Sequence, residues 1–127
     1  MNITQKKMTI TKLMSTKKSS IQITIQMDER NIPEQIQWLS EDQTIPSAQD
    51  AKAMMLALWD KQSRNGLSVD LWTKEMTIEE MNLFVFQTLM TMSDTFERAT
   101  RNTKQAQAIR TFAGDFMKVL QEEAPKS

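Results

Sequence analysis

Apolar and polar positions alternate strictly in the first patterned segment: Ile21, Ile23, Ile25 and Met27 are separated by Gln22, Thr24 and Gln26. Period-two alternation of β-branched and polar side chains is the pattern of a strand with one buried face. The polar cluster Asp28-Glu29-Arg30-Asn31 reads as a turn, and Pro33 delays the resumption of pairing. Ile36 and Trp38 then alternate with Gln35 and Gln37, which predicts a second strand joined to the first as an antiparallel hairpin.

After Pro46 the period changes. Ala51, Met54, Met55, Leu58 and Trp59 fall at helical spacing, with Ser47 as N-cap and Asp50 at the N3 position. Residues 47–63 are therefore expected to form a helix whose apolar stripe faces the sheet. Asn65-Gly66 marks a turn, and Leu67, Val69 and Leu71 alternate with Ser68, Asp70 and Trp72 as a third strand. Thr77-Ile78-Glu79-Glu80 matches a capping box: the Thr77 hydroxyl takes the Glu80 amide while the Glu80 carboxylate takes the Thr77 amide. The helix it opens is expected to run to about Thr100. Ile78, Met81, Val85, Leu89, Met92, Phe96 and Ala99 fall inside one arc of about 80°, with Leu83, Phe86 and Met90 as a second apolar group. Arg101-Asn102-Thr103 interrupts the pattern, and a last helix carries Ala106, Ile109, Phe112, Ala113, Phe116 and Leu120 before Pro125. The order β-β-α-β-α-α predicts an α+β domain, a small antiparallel or mixed three-stranded sheet with three helices packed on it. That domain is expected over residues 19–124, with 125–127 as a tail.

Charge changes the picture only when the chain is divided. The 16 basic and 16 acidic residues cancel over the 127 residues, but residues 1–18 hold Lys6, Lys7, Lys12, Lys17 and Lys18 with no acid. A basic arm of +5 thus offsets a body of −5. An acidic body argues against nucleic acid as a partner, since phosphate binding needs a basic face. The arm lacks the continuous apolar stretch of roughly 7–15 residues that a secretory signal requires. No apolar run approaches the ~20 residues of a membrane span. The expectation is a soluble cytoplasmic protein with no membrane insertion.

Absent residue types exclude more chemistry than present ones suggest. With no cysteine and no histidine there is no thiolate zinc site, no disulfide, no imidazole base and no Ser-His-Asp triad. Only two glycines, Gly66 and Gly114, rule out a glycine-rich phosphate loop. Paired carboxylates at Asp28-Glu29, Glu41-Asp42, Glu79-Glu80 and Glu122-Glu123 lack the spacing of a metal loop. An enzyme would have to work with carboxylates and lysine alone, so no catalytic residue, cofactor or metal is expected.

Three features could serve recognition. On the long helix Glu80, Gln87, Thr91, Asp94 and Arg98 lie within roughly 60° of one another, with Asp94 and Arg98 spaced as an i, i+4 ion pair. Trp72 shares strand parity with Asp70 and stands near Lys74, as an exposed aromatic anchor would. The 11 methionines, six of them (Met54, Met55, Met81, Met90, Met92, Met117) on expected helices, fill a core or line an adaptable groove.

Several blocks resemble the gliding motility protein GldC family of Bacteroidota: Trp59-Asp60, Asp70-Leu71-Trp72-Thr73-Lys74, Glu80-Met81, Gln87-Thr88-Leu89 and Asp94-Thr95-Phe96-Glu97-Arg98-Ala99-Thr100. Met27-Asp28-Glu29, Ile32-Pro33-Glu34 and Gln37-Trp38 are similar too, so the resemblance covers about residues 19–121. It implies a small accessory protein of the gliding and associated secretion machinery, with no known enzymatic activity or cofactor. Family members usually begin near the position of Met14, so residues 1–13 are expected to be an extension or a start-site misassignment. The expected role is a non-catalytic adaptor that binds protein partners, such as other gliding components, through Asp70, Trp72, Lys74, Gln87, Asp94 and Arg98. A homodimer is compatible with it. The alternative is a small-molecule- or peptide-binding domain with a pocket lined by Met and Phe.

Overall fold

The alternating segments do form a hairpin. In the computed structural model, which describes residues 17–123, β1 (Ile21–Met27) pairs antiparallel with β2 (Pro33–Ser40). Ile23 stands opposite Trp38 and Ile25 opposite Ile36, so the apolar side chains share one face. Ile36 is buried almost completely. Asp28 builds the connection: its Oδ1 accepts the amides of Arg30 at 2.8 Å and Ile32 at 2.9 Å. Asn31 takes the left-handed conformation (φ 62°), which Asn tolerates better than most residues. The expected basic arm, apart from Lys17 and Lys18, and the tail 125–127 lie outside the described residues.

The expected helix at residues 47–63 is not there. In its place β3 (Gln49–Ala51) pairs with β2, and β4 (Ala53–Trp59) pairs with β5 (Gly66–Trp72). Ser47 and Asp50 therefore cap nothing, and Met54 and Met55 are strand residues. The physical reason is that Ala53–Trp59 has no charged or polar residue, so its apolar positions satisfy a period of 3.6 and a period of 2 alike. A partner strand with matching cross-strand residues decides between them. Met54 faces Leu71, Leu56 faces Val69 and Leu58 faces Leu67 along an unbroken antiparallel register. The predicted third strand is present, but its partner is β4, in a separate two-stranded sheet beside the three-stranded sheet β1-β2-β3.

Both ends of the β4–β5 ladder are pinned. At one end the Lys52 carbonyl accepts the Thr73 amide at 2.8 Å and the Thr73 hydroxyl at 2.9 Å. At the other, Asp60 donates its amide to the Asn65 carbonyl at 2.8 Å while its Oδ2 accepts the Ser63 amide at 2.7 Å. Arg64 absorbs the reversal with φ 55°.

The chain divides into two units after Glu75, the strands forming the first and two helices the second. The capping box is present as read: Thr77 accepts the Glu80 amide at 3.0 Å, and the Glu80 carboxylate accepts the Thr77 amide at 3.2 Å. It opens α1 (Ile78–Thr100), which stops at Arg101 in the left-handed conformation, φ 60°. Asn102 then caps α2 (Thr103–Glu123), its Oδ1 accepting the Gln105 amide at 3.0 Å. Among the described residues there are two helices where three were expected, and two sheets where one was expected, in an α+β architecture.

The helices meet along small side chains. Ser93 on α1 and Ala106 and Ala113 on α2 are fully buried, and the Ser93 hydroxyl is satisfied by the Met90 carbonyl at 2.6 Å. Ser93 lies between the two apolar groups of α1 on the helical wheel, so the expected arc is turned aside: Ile78 and Met92 remain exposed. Arg110 ties the pair, reaching Asp94 Oδ1 at 2.9 Å and Glu97 Oε1 at 2.8 Å.

Loss of the Thr77 cap tests the reading of α1. Thr77→Ala should lower unfolding free energy in urea by about 1 kcal/mol, and an unchanged midpoint would contradict the capping role. Three carboxyls sit below their ordinary values in the fold. Asp28 is lowered chiefly by the Ile32 amide, Asp60 by the Ser63 amide and Glu97 by the Arg110 guanidinium. A depressed carboxyl stabilises the fold above its unfolded pKa and loses that contribution as pH falls through the folded one. Thermal stability should therefore hold from neutrality to ~pH 5 and drop in more acid solution. Asp28→Asn should flatten that drop, measured by circular dichroism melting; a fall as steep as in the wild type would contradict the assignment.

Candidate partner surface

The β4–β5 register sorts side chains into two faces. Even-numbered β4 residues Met54, Leu56 and Leu58 share one with Leu71, Val69 and Leu67. Odd-numbered Ala53, Met55, Ala57 and Trp59 share the other with Trp72, Asp70, Ser68 and Gly66. Trp72 lies across from Ala53, and Trp59 across from Gly66, so each indole has a small cross-strand neighbour. Trp72 is 62% exposed and Trp59 71% exposed. Met55 and Asp70 are exposed between them. This face is an aromatic-ended, largely apolar surface whose one charged group is the Asp70 carboxylate near its middle.

Trp72 and Asp70 thus stand together on an exposed strand face, as their parity indicates. Lys74 follows β5, and its ammonium pairs with Asp28 Oδ2 at 3.1 Å while staying largely solvated. The same Asp28 that organises the first hairpin turn thereby fixes the end of β5. Trp59 and Met55 were missed by sequence reasoning, which placed them on a buried helical stripe. The signal for them is the strand parity of the run that precedes Asn65-Gly66, once that run is read as the first arm of a hairpin.

On α1, Gln87, Thr91, Asp94 and Arg98 are exposed. The expected Asp94–Arg98 ion pair gives way to a different arrangement. The Asp94 carboxylate takes Arg110 from α2, and the Arg98 guanidinium turns toward its own helix, 3.5 Å from the Asp94 carbonyl and 3.4 Å from Thr95 Oγ1. An i, i+4 pair on an exposed face is worth only a few tenths of a kcal/mol, so a second helix carrying an arginine outcompetes it. Asp94 therefore helps hold the helix pair, while Gln87 stays exposed and Arg98, also exposed, folds its guanidinium back onto its own helix.

Two open clefts indent the strand unit. One of about 430 Å³ is lined by Gln26, Glu34, Gln35, Asp50, Lys52 and Thr73, among others, and one of about 580 Å³ by Met27, Asp28, Glu29, Arg30, Ile32, Glu34 and Lys74. Both are mainly polar, and neither has the Met and Phe lining of a hydrophobic ligand pocket. Among the described residues no group of three or more metal-ligating side chains converges, and no helix is long and apolar enough to cross a membrane.

Comparison with known proteins places these features in a family. No curated protein and no solved structure matches the chain. A family model described as gliding motility-associated protein GldC-like matches residues 33–122, from the first residue of β2 nearly to the end of α2. The match takes in both hairpin arms that carry Trp59 and Trp72 and the whole of α1, and on it the chain belongs to the GldC-like family.

Proposed function

We propose that the protein is a non-catalytic cytoplasmic adaptor of bacterial gliding motility and its associated secretion machinery, acting by protein–protein interaction. The observation that carries this reading is the exposed odd-numbered face of the β4–β5 hairpin, with Trp59 and Trp72 at its ends. Solvent-exposed tryptophans framed by small residues are the groups that most often dominate protein interfaces. The absence of histidine and cysteine supports a binding role over a catalytic one. Asp70, Trp72 and Lys74 on the strand unit form one proposed contact patch, and Gln87, Asp94 and Arg98 on α1 form another, each taken by itself. Membership of a gliding motility-associated family supports a partner within that machinery, and the acidic body favours a protein over nucleic acid.

Capture of partners from lysate of the native cell with tagged full-length protein tests the assignment. Trp72→Ala should weaken recovery of the specific partner about 30-fold, as loss of a ~2 kcal/mol anchor would. Trp59→Ala should act in the same direction and Arg98→Ala more weakly. Equal recovery by all three folded variants would overturn the surface.

A further inference from the structure

The edge of β4 that faces away from β5 has the features of a strand edge open to pairing. Among the described residues β4 is bonded along one side only, because the sheet it forms with β5 has two strands. The bonded side is known from both ends of the ladder: the Lys52 carbonyl and the Asp60 amide both engage the β5 arm. Backbone groups of successive strand residues point to opposite edges, so the even-numbered residues serve β5 and Ala53, Met55, Ala57 and Trp59 aim their N–H and C=O groups outward. That edge carries no charge, no proline and no bulge, the devices by which proteins normally block strand addition. A lone two-stranded hairpin is also marginal in water, and further strands are what stabilise it.

Side-chain complementarity selects the occupant and the register. In an antiparallel pairing of two β4 strands about a two-fold axis at Leu56, each large residue on the odd face meets a small one. Met55 faces Ala57 of the second copy, and Trp59 faces Ala53 of the second copy. On the even face Leu56 meets its own counterpart and Met54 meets Leu58 of the second copy. The ladder ends with Lys52 across from Asp60 of the second copy, a pairing of opposite charges repeated at both ends. Moving the axis to Met55 sets Lys52 against a leucine, and moving it to Ala57 sets Asp60 against a methionine. The centred register also makes the outward-facing odd residues the hydrogen-bonded pairs, as their backbone direction requires. We propose that the protein is a two-fold dimer held by a continuous four-stranded sheet, β5-β4 of one copy against β4-β5 of the other. The dimer stands independently of the adaptor reading. Its consequence is a single face on which Trp72, Ala53 and Trp59 of the second copy lie in one row across three strands.

The cysteine-free chain permits a clean test. Light scattering across a concentration series should give twice the chain mass of 14.7 kDa. Leu56→Cys places two thiols at the axis in a pair whose Cβ atoms are about 5 Å apart, so mild oxidation should trap a covalent dimer. Trp59→Cys should not be trapped, since its two copies lie about 20 Å apart along the strands. The Ala57 amide points away from β5, so Ala57→Pro removes an intercopy bond while sparing the hairpin and should yield a folded monomer. Should Ala57→Pro fail to fold, the contrast between the two cysteine variants decides. A monomer at every concentration would overturn the proposal. So would a dimer trapped by Val69→Cys and not by Leu56→Cys, because β5 would then be the paired edge.

Discussion

Pairing of the uncharged run Ala53–Trp59 with β5 is the constraint on which the proposed partner surface depends. It turns a segment with no polar residue of its own into one arm of a hairpin, and it decides which side chains face where. A helix over the same residues would put Met55 and Trp59 on one stripe with Ala51 and Leu58. A strand instead separates Leu58 from Trp59 and sets Trp59 on the same face as Trp72. The two pins that hold the ladder, Thr73 on the Lys52 carbonyl and Asn65 on the Asp60 amide, also define which edge of β4 is spent and which is open.

Side-chain economy elsewhere follows a consistent logic. The described residues have few fully buried apolar side chains: Ile36 in the first hairpin, and Ala106 and Ala113 where the helices meet. Small residues at Ser93, Ala106 and Ala113 let the helix backbones approach, and Arg110 spans the pair by binding two carboxylates of the opposite helix. Aspartates organise the tight reversals: Asp28 gathers two amides and a lysine, Asp60 one amide and a carbonyl partner. Much apolar surface is left exposed, notably Leu58, Leu67, Trp59 and Trp72 on the two faces of a single hairpin. Exposed apolar groups also lie on β1, α1 and α2, but the hairpin sets several side by side, which is the mark of a surface that a partner covers.

Much of this was legible in the residues. The alternation at Ile21–Met27, the capping box at Thr77 and Glu80, and the break at Arg101-Asn102 each express a local rule, and each appears where the rule puts it. The α+β class followed from them. The segment from Ser47 to Ser63 defeated local rules because its centre, Ala53–Trp59, is apolar at every position and shows no period. Its state is settled by Leu67, Val69 and Leu71, residues beyond a turn, which is a tertiary decision. The same nonlocal cause moved Asp94 from Arg98 to Arg110. The shared exposed face of Trp72 and Asp70 was legible because β5 alternates; the place of Trp59 on that face was not, because β4 does not alternate.

Proton NMR of the full chain tests the hairpin most directly. Met55 and Ala57 stand opposite Asp70 and Ser68 in pairs that do not share hydrogen bonds, where Hα atoms approach closely across the strands. Strong Hα–Hα cross-peaks are expected between Met55 and Asp70 and between Ala57 and Ser68. Helical contacts between residues three apart over Ala53–Trp59, with those cross-strand peaks absent, would contradict the hairpin and remove the basis for both the tryptophan face and the open edge.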